Sequence, residues 1–161
     1  MNEYEEILKV LKVCSNLFFE HYGYVYNVII SYSQKKPVGP LLEIEKAFAH
    51  LMQSVIDFEK GNRKRGERNL DRFRGHIERM LLDMYKIAFL LLIEEAKSFA
   101  RNCKNVRATI EIEKLYKESR DFEMENIGST IGDSSPLKEK ILKNYKKNLA
   151  RAEKIITKEE V

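Results

Sequence analysis

The sequence predicts an all-α fold, an up-and-down helical bundle of about five helices built on a long antiparallel hairpin. Apolar residues recur at steps of three and four along the chain, and no segment shows the sustained alternation of a strand. Only seven glycines and three prolines interrupt this pattern, and most of them lie in three short breaks. At 161 residues the chain has the length of one domain, so we expect a single helical-bundle domain over residues 1–161.

The breaks set the limits of the predicted helices. They lie at residues 35–40, 61–66 and 127–136, where glycine, proline and small polar residues gather. Pro136 is placed to begin the last helix, because proline is favoured in a first helical turn. The helices are predicted at about 3–34, 41–60, 64–103, 105–126 and 136–158.

The second and third helices carry the most regular apolar pattern. In each, apolar residues follow alternating steps of three and four, which is the spacing of a heptad seam. A short connection joins them, so we expect an antiparallel hairpin. The residues predicted to be buried along the seam are Leu41, Ile44, Phe48, Leu51, Val55 and Phe58 on the second helix and Leu70, Phe73, Ile77, Met80, Met84, Ile87 and Leu91 on the third. The fifth helix has its own predicted seam, at Leu137, Ile141, Tyr145, Leu149, Ala152 and Ile156.

A second seam, which is polar on the third helix, lies one position before the apolar one. On the third helix it consists of Asn69, Arg72, His76, Arg79, Asp83 and Lys86. On the second helix the matching flank consists of Glu43, Ala47, His50, Ser54 and Asp57. Two histidines and several charged groups are therefore predicted to lie beside the core of the hairpin.

The register of the hairpin decides what the histidines meet. A turn centred near residue 63 sets His50 opposite His76 and brings Asp57 close to Arg68 and Asn69. A turn centred half a heptad later instead sets His50 opposite Asp83 and Asp57 opposite His76. The glycines place the turn at 61–66 and favour the first register.

Several chemistries have no support in the sequence. The Glu-x-x-His motif of di-iron bundles is absent, because Ala47 and Phe73 stand three residues before His50 and His76. Cys14 and Cys103 have no paired spacing, and no phosphate-binding glycine loop is present. The longest uncharged apolar run has seven residues, against the roughly 20 that a membrane helix needs. We therefore expect no metal, no cofactor, no membrane contact and a cytoplasmic location.

Positive charge is concentrated around the predicted turn. The chain has a net charge of +4, yet residues 60–107 contain 13 basic and six acidic residues. A polyanion such as RNA would meet this surface favourably, and the expected contacts are Arg63, Lys64, Arg65 and Arg68. The alternative is a solvated basic face that only balances acidic residues elsewhere in the chain.

The hairpin resembles the HEPN superfamily of helical bundles. That family carries an Arg, usually followed by Asn, Asp or His, and then a His with four to six residues between the Arg and the His. Here Arg68 is followed by Asn69, and seven residues stand between Arg68 and His76, whereas three residues stand between Arg72 and His76. The resemblance implies a homodimer and a metal-independent endoribonuclease of a defence or toxin–antitoxin system, with an antitoxin or other protein as a partner.

The resemblance also implies roles for the residues that match it. His76 would take the proton of a ribose 2′-hydroxyl, and Arg68 or Arg72 would stabilise the charge on phosphorus. His50, Asp57, Arg79 and Asp83 are expected to be supporting or structural polar residues. The alternative function is a non-enzymatic helical adaptor that binds another protein.

Overall fold

The structure, a computed structural model, describes residues 3–103, 106–127 and 136–159. Over those residues it is an all-α bundle, as predicted, with five helices and no strand. The helices are α1 (Glu3–Ser33), α2 (Val38–Glu59), α3 (Arg63–Cys103), α4 (Val106–Ile127) and α5 (Pro136–Glu159). Among the described helices, none combines the length and the apolar character needed to span a bilayer. Most of the third predicted break, residues 128–135, lies outside the described residues.

The second helix begins three residues earlier than predicted, at Val38. Pro37 is its N-cap residue, and the Pro37 carbonyl accepts a hydrogen bond from the amide of Leu41 (3.3 Å). Pro40 is tolerated inside the first turn because amides there have no carbonyl partner within the helix. The predicted break at 35–40 was therefore too long at its C-terminal end.

The connection between α2 and α3 is a tight turn. Gly61 has a φ of +73°, in the left-handed region that glycine enters without steric cost. The amide of Asn62 donates to the carbonyl of Asp57 (2.8 Å), which closes the last turn of α2. The carbonyl of Asn62 then accepts hydrogen bonds from the amides of Arg65 and Gly66 (both 3.0 Å) and begins α3.

Gly66 belongs to α3, as predicted, and the helix begins at Arg63, one residue earlier than predicted. A Cβ atom at this position would lie 2.8 Å from the ring of Phe58, closer than real Cβ atoms approach. Gly66 is therefore a packing residue, and its missing side chain lets the buried ring of Phe58 lie against the first turn of α3.

The chain divides into two compact units. Unit 1 consists of Met1–Gly23 and Pro37–Asp83, and unit 2 consists of Tyr24–Lys36 and Met84–Val161. Helices α1 and α3 each contribute residues to both units. The single domain over residues 1–161 stays a prediction.

In unit 1, α2 and the first half of α3 form the predicted antiparallel hairpin. The apolar seam predicted on this half of α3 is confirmed, since Leu70, Phe73, Ile77 and Met80 are all buried. This seam supplies much of the apolar core of the unit.

The apolar seam predicted on α2 is wrong for its first half. Phe48 is 58% exposed and Leu41 is 38% exposed, whereas Ala47 and Ser54 are fully buried. Phe58 is buried as predicted, but the other buried residues of α2 each lie one residue earlier than a predicted one, at Pro40, Ala47, Ser54 and Asp57. One residue corresponds to a rotation of about 100° about the helix axis. Small side chains at Ala47 and Ser54 let the two helices approach closely there. Glu43, His50 and Asp57 contact α3, and the buried residues Pro40, Ala47 and Ser54 share their face of α2 at heptad spacing.

In unit 2, α4 packs against α5. The seam predicted on α5 is confirmed from Ile141 to Ile156, and Leu137 lies outside the described side chains. Tyr145 packs against Tyr85 and Phe89, with ring centroids 5.9 and 6.2 Å apart. This aromatic cluster forms the centre of the unit's core.

Candidate functional site

A ladder of polar side chains runs along the α2–α3 hairpin of unit 1. The rings of His50 and His76 stack with centroids 5.2 Å apart and an interplanar angle of 12°. His76 Nδ1 lies 2.7 Å from Glu43 Oε2 at one end of the ladder. His50 Nδ1 lies 3.0 Å from Asn69 Oδ1, and Asn69 Nδ2 donates to Asp57 Oδ2 (2.8 Å) at the other end.

Heptad spacing explains why these five side chains meet. Glu43, His50 and Asp57 are seven residues apart on α2, and Asn69 and His76 are seven residues apart on α3. Each α3 residue lies between two successive α2 residues, so the side chains alternate along the seam as in knobs-into-holes packing. The predicted His50–His76 and Asp57–Asn69 neighbours are confirmed, and the register that sets His50 opposite Asp83 is wrong.

The hydrogen bonds of the ladder fix the proton positions on both imidazoles. The Glu43 carboxylate only accepts hydrogen bonds, so Nδ1 of His76 carries a proton. Asn69 donates through Nδ2 to Asp57, which leaves its Oδ1 as the acceptor for Nδ1–H of His50. In the neutral form each histidine therefore keeps its lone pair on Nε2, the tautomer that a general base uses when an acceptor orients its Nδ1–H.

Glu43 is the ladder residue that sequence reasoning did not single out as functional. Hydrogen bonds from Lys46 (2.7 Å) and from His76 lower the pKa of its carboxyl to about 2. Arg79 Nη1 lies 3.3 Å from the same carboxylate, so Arg79 supports the ladder through Glu43. The signal in the sequence was the heptad spacing between Glu43 and His50, but only the interleaved register connects Glu43 to His76.

Next to the ladder, a cleft of about 380 Å³ has a basic lining. It is formed by Ala49, His50, Gln53, Arg65, Arg68, Asn69 and Arg72. Arg65 lies 3.4 Å from Asp57 and is 67% exposed. Among the described residues, neither Arg68 nor Arg72 has an ion-pair partner. These two guanidinium groups lie four residues apart on one helix, so they lie on the same face of it.

The structure distributes the predicted site residues over two places. His50, Arg65, Arg68 and Arg72 line the cleft, whereas His76 is not among its lining residues and its side chain is 15% exposed. Of the two histidines of the ladder, His50 is therefore the one that lines the cleft.

Two of the predicted RNA contacts lie at the turn. Arg63 donates to the carboxylates of Glu67 (2.9 Å) and Glu6, and these hydrogen bonds raise its pKa. Lys64 is exposed beside it. Arg63 therefore has its charge partly balanced within unit 1, unlike Arg68 and Arg72.

The remaining candidate groups carry no site. Within the described part of the chain, no cluster of three or more His, Cys, Asp or Glu residues is arranged to hold a metal ion. Cys14 is buried, and burial raises the pKa of its thiol to about 12, so it is a poor nucleophile. Comparison of the chain with protein-family models, with curated proteins and with solved structures found no match.

Proposed function

We propose that this protein binds RNA through the basic cleft of unit 1 and acts there as a metal-independent endoribonuclease. The observation that carries the proposal is the position of Arg68 and Arg72, two arginines without an ion-pair partner in the described residues, beside His50. Uncompensated guanidinium groups on one helix face bind phosphate oxygens well, because they offer several donors in a planar arrangement.

The chemical step needs a base near the phosphate. Nε2 of His50 would accept the proton of a ribose 2′-hydroxyl while the 2′-oxygen attacks the adjacent phosphorus. The bond from phosphorus to the 5′-oxygen breaks, and the products are a 2′,3′-cyclic phosphate and a 5′-hydroxyl end, the leaving oxygen receiving a proton from water or from an imidazolium. Arg68 and Arg72 would stabilise the charge that develops on the phosphate oxygens.

The ladder supports this role for His50 by holding its ring. Asn69 fixes Nδ1–H, and the stacked ring of His76 fixes the plane of the imidazole. His76, which the resemblance to the HEPN superfamily implies as the base, would then act as a positioning residue or as the second imidazole of the pair.

A binding assay tests the cleft. We expect the double variant Arg68→Gln/Arg72→Gln to bind single-stranded RNA more weakly than the wild type. The log–log slope of its salt dependence should fall by about 0.7 for each phosphate that the cleft no longer neutralises. The matched control is Lys147→Gln/Lys154→Gln on α5, which changes the net charge equally and should have a smaller effect. Equally weakened binding in both variants would contradict a specific role for the cleft.

A cleavage assay in the presence of EDTA tests the enzyme. We expect 2′,3′-cyclic phosphate products from the wild type and a rate about a hundredfold lower from His50→Gln, the effect typical of a missing general base. His76→Gln should retain RNA binding and show a smaller decrease in rate. Binding without any cleavage by the wild type would leave the protein an RNA-binding bundle and would contradict the enzymatic part of the proposal.

The second candidate function is a non-enzymatic interaction module. It is favoured by the apolar residues that α2 exposes, because an exposed apolar face marks a surface for protein–protein contact. Absence of both RNA binding and cleavage at low salt would favour this function over the first.

A further inference from the structure

Helix α2 exposes an apolar stripe on the side that faces away from α3. Phe48 and Met52 are 58% and 61% exposed. The spacing of three, four and seven residues within the stripe places its members on one face, about 30 Å long for a helix of 22 residues. Monomeric proteins rarely expose a contiguous apolar patch larger than a few hundred Å². The exposed large apolar residues of this helix are Val38, Leu41, Leu42, Phe48, Met52 and Ile56.

The charged residues of the stripe restrict what can cover it. Glu45 and Glu59 continue the seven-residue series of Val38 and Met52, so both carboxylates lie in line with the apolar residues. Lys60 is exposed at the C-terminal end of the same face. A partner must bring a cation to Glu45, because an unpaired carboxylate at an interface is costly to desolvate.

We propose that the stripe pairs with the α2 stripe of a second copy of this chain, with the two helices antiparallel. A two-fold axis between Met52 and Gln53 sets Glu45 level with Lys60 of the second copy, and the symmetry forms this charge pair twice. The same axis sets Ala49 level with Ile56 of the second copy and brings the two Met52 side chains together. Small-to-large pairing of this kind lets helices approach closely.

A parallel arrangement of the two stripes is disfavoured. It would set Glu45 against Glu45 and Glu59 against Glu59, and like charges at an interface are repulsive. The antiparallel register is isologous, as a closed two-fold dimer requires. This inference does not rest on the proposed RNA chemistry, because the stripe lies on another face of α2 from the ladder.

The oligomeric state in solution tests the pairing. By light scattering and sedimentation at about 0.1 mM protein, a concentration at which even a modest affinity populates the complex, we expect the wild type to have twice the monomer mass. Phe48→Lys/Met52→Lys should be monomeric and fully helical, since both side chains are exposed. The control Leu90→Lys/Met124→Lys, also at exposed positions, should leave the dimer intact. A monomeric wild type, or a dimer insensitive to Phe48→Lys/Met52→Lys, would overturn the proposal.

A charge-reversal cycle tests the register. Glu45→Lys and Lys60→Glu should each raise the dissociation constant about tenfold, and the double variant should recover most of the affinity, as expected for a direct charge pair. Effects of the single variants that simply add in the double variant would contradict the antiparallel register about Met52 and Gln53.

Discussion

Among the described residues, unit 1 buries the carboxylates of Asp57 and Glu78 and unit 2 buries that of Glu123, and Asp57 and Glu123 are held in different ways. In unit 2, Glu123 is 5% exposed and receives hydrogen bonds from Tyr145 Oη (2.6 Å) and Lys86 Nζ (2.8 Å). In unit 1, Asp57 is 2% exposed and is bonded to Asn69, the next member of the ladder.

The difference lies in where the compensating charge is found. Glu123 has a cation directly bonded to it beside an aromatic core, so its network is complete within the unit. Asp57 accepts hydrogen bonds from the neutral amides of Gln53 and Asn69 and pairs with Arg65, whose side chain is largely exposed on the cleft. A closed network stabilises one packing arrangement, whereas a ladder that ends at a cleft leaves imidazole and guanidinium groups available for a ligand.

The largest expected effect tests how strongly unit 1 depends on its apolar core, despite its polar seam. Met80 is fully buried, so Met80→Asp places an unpaired charge in the core and should cost about 4 kcal/mol or more in the free energy of unfolding. Urea denaturation followed by circular dichroism measures it. Met124→Asp, at a position 67% exposed, should change the free energy by less than about 0.5 kcal/mol.

Neutralising Glu123 and Asp57 in separate variants compares the two hydrogen-bond networks directly. Glu123→Gln leaves the Lys86 ammonium without its counter-charge and should cost about 3 kcal/mol. Asp57→Asn disturbs mainly hydrogen bonds to neutral amides and should cost about 1 kcal/mol. Equal destabilisation of both variants in urea denaturation would show that the two networks are equivalent in energy and would remove the distinction between them.

The dependence of unfolding free energy on acid pH tests Glu43, which lies at the opposite end of the ladder from Asp57. The pKa of Glu43 is about 2 in the folded protein against an ordinary 4.5. The unfolded chain binds the proton first as the pH falls, so the contribution of Glu43 is present above pH 4.5 and is lost as the pH falls towards 2. Glu43→Gln should therefore flatten the fall of unfolding free energy between about pH 5 and about pH 3. The exposed control Glu125→Gln should keep the wild-type slope, and an unchanged slope in Glu43→Gln would contradict the prediction.

The smallest expected effects compare alanine substitutions at two glycines of α3, Gly66 and Gly75. Gly66→Ala should destabilise unit 1 by about 1 kcal/mol, because overpacking against Phe58 outweighs the gain in helix propensity. Gly75→Ala has nothing within 4 Å of its new Cβ and should stabilise the protein by about 0.5–1 kcal/mol. Shifts of melting temperature in opposite directions would confirm the assignment of Gly66 as a packing residue, and shifts in the same direction would contradict it.

The sequence by itself determined the helices, because three- and four-residue apolar steps and glycine–proline breaks act locally along the chain. It also favoured the register in which His50 and His76 are neighbours, since the glycines place a short turn at 61–66 and a short turn leaves an antiparallel hairpin few registers. The apolar seam in the first half of α3 was predictable for the same reason, as Leu70 and Met80 belong to one unambiguous stripe.

Only the tertiary structure decided which face of α2 meets α3. One face of α2 carries large apolar residues, and the adjacent face carries small and polar residues. A prediction from apolar periodicity buries the large apolar residues in preference to Ala47 and Ser54. Close approach of the two helices requires those small residues at the contact, so the helix turns by about one residue and exposes Phe48. That rotation, and the interleaving of side chains that it permits, brought Glu43 into contact with His76. A side-chain contact depends both on the direction of each side chain around its helix axis and on its height along that axis. The sequence pattern constrains only how often such positions repeat.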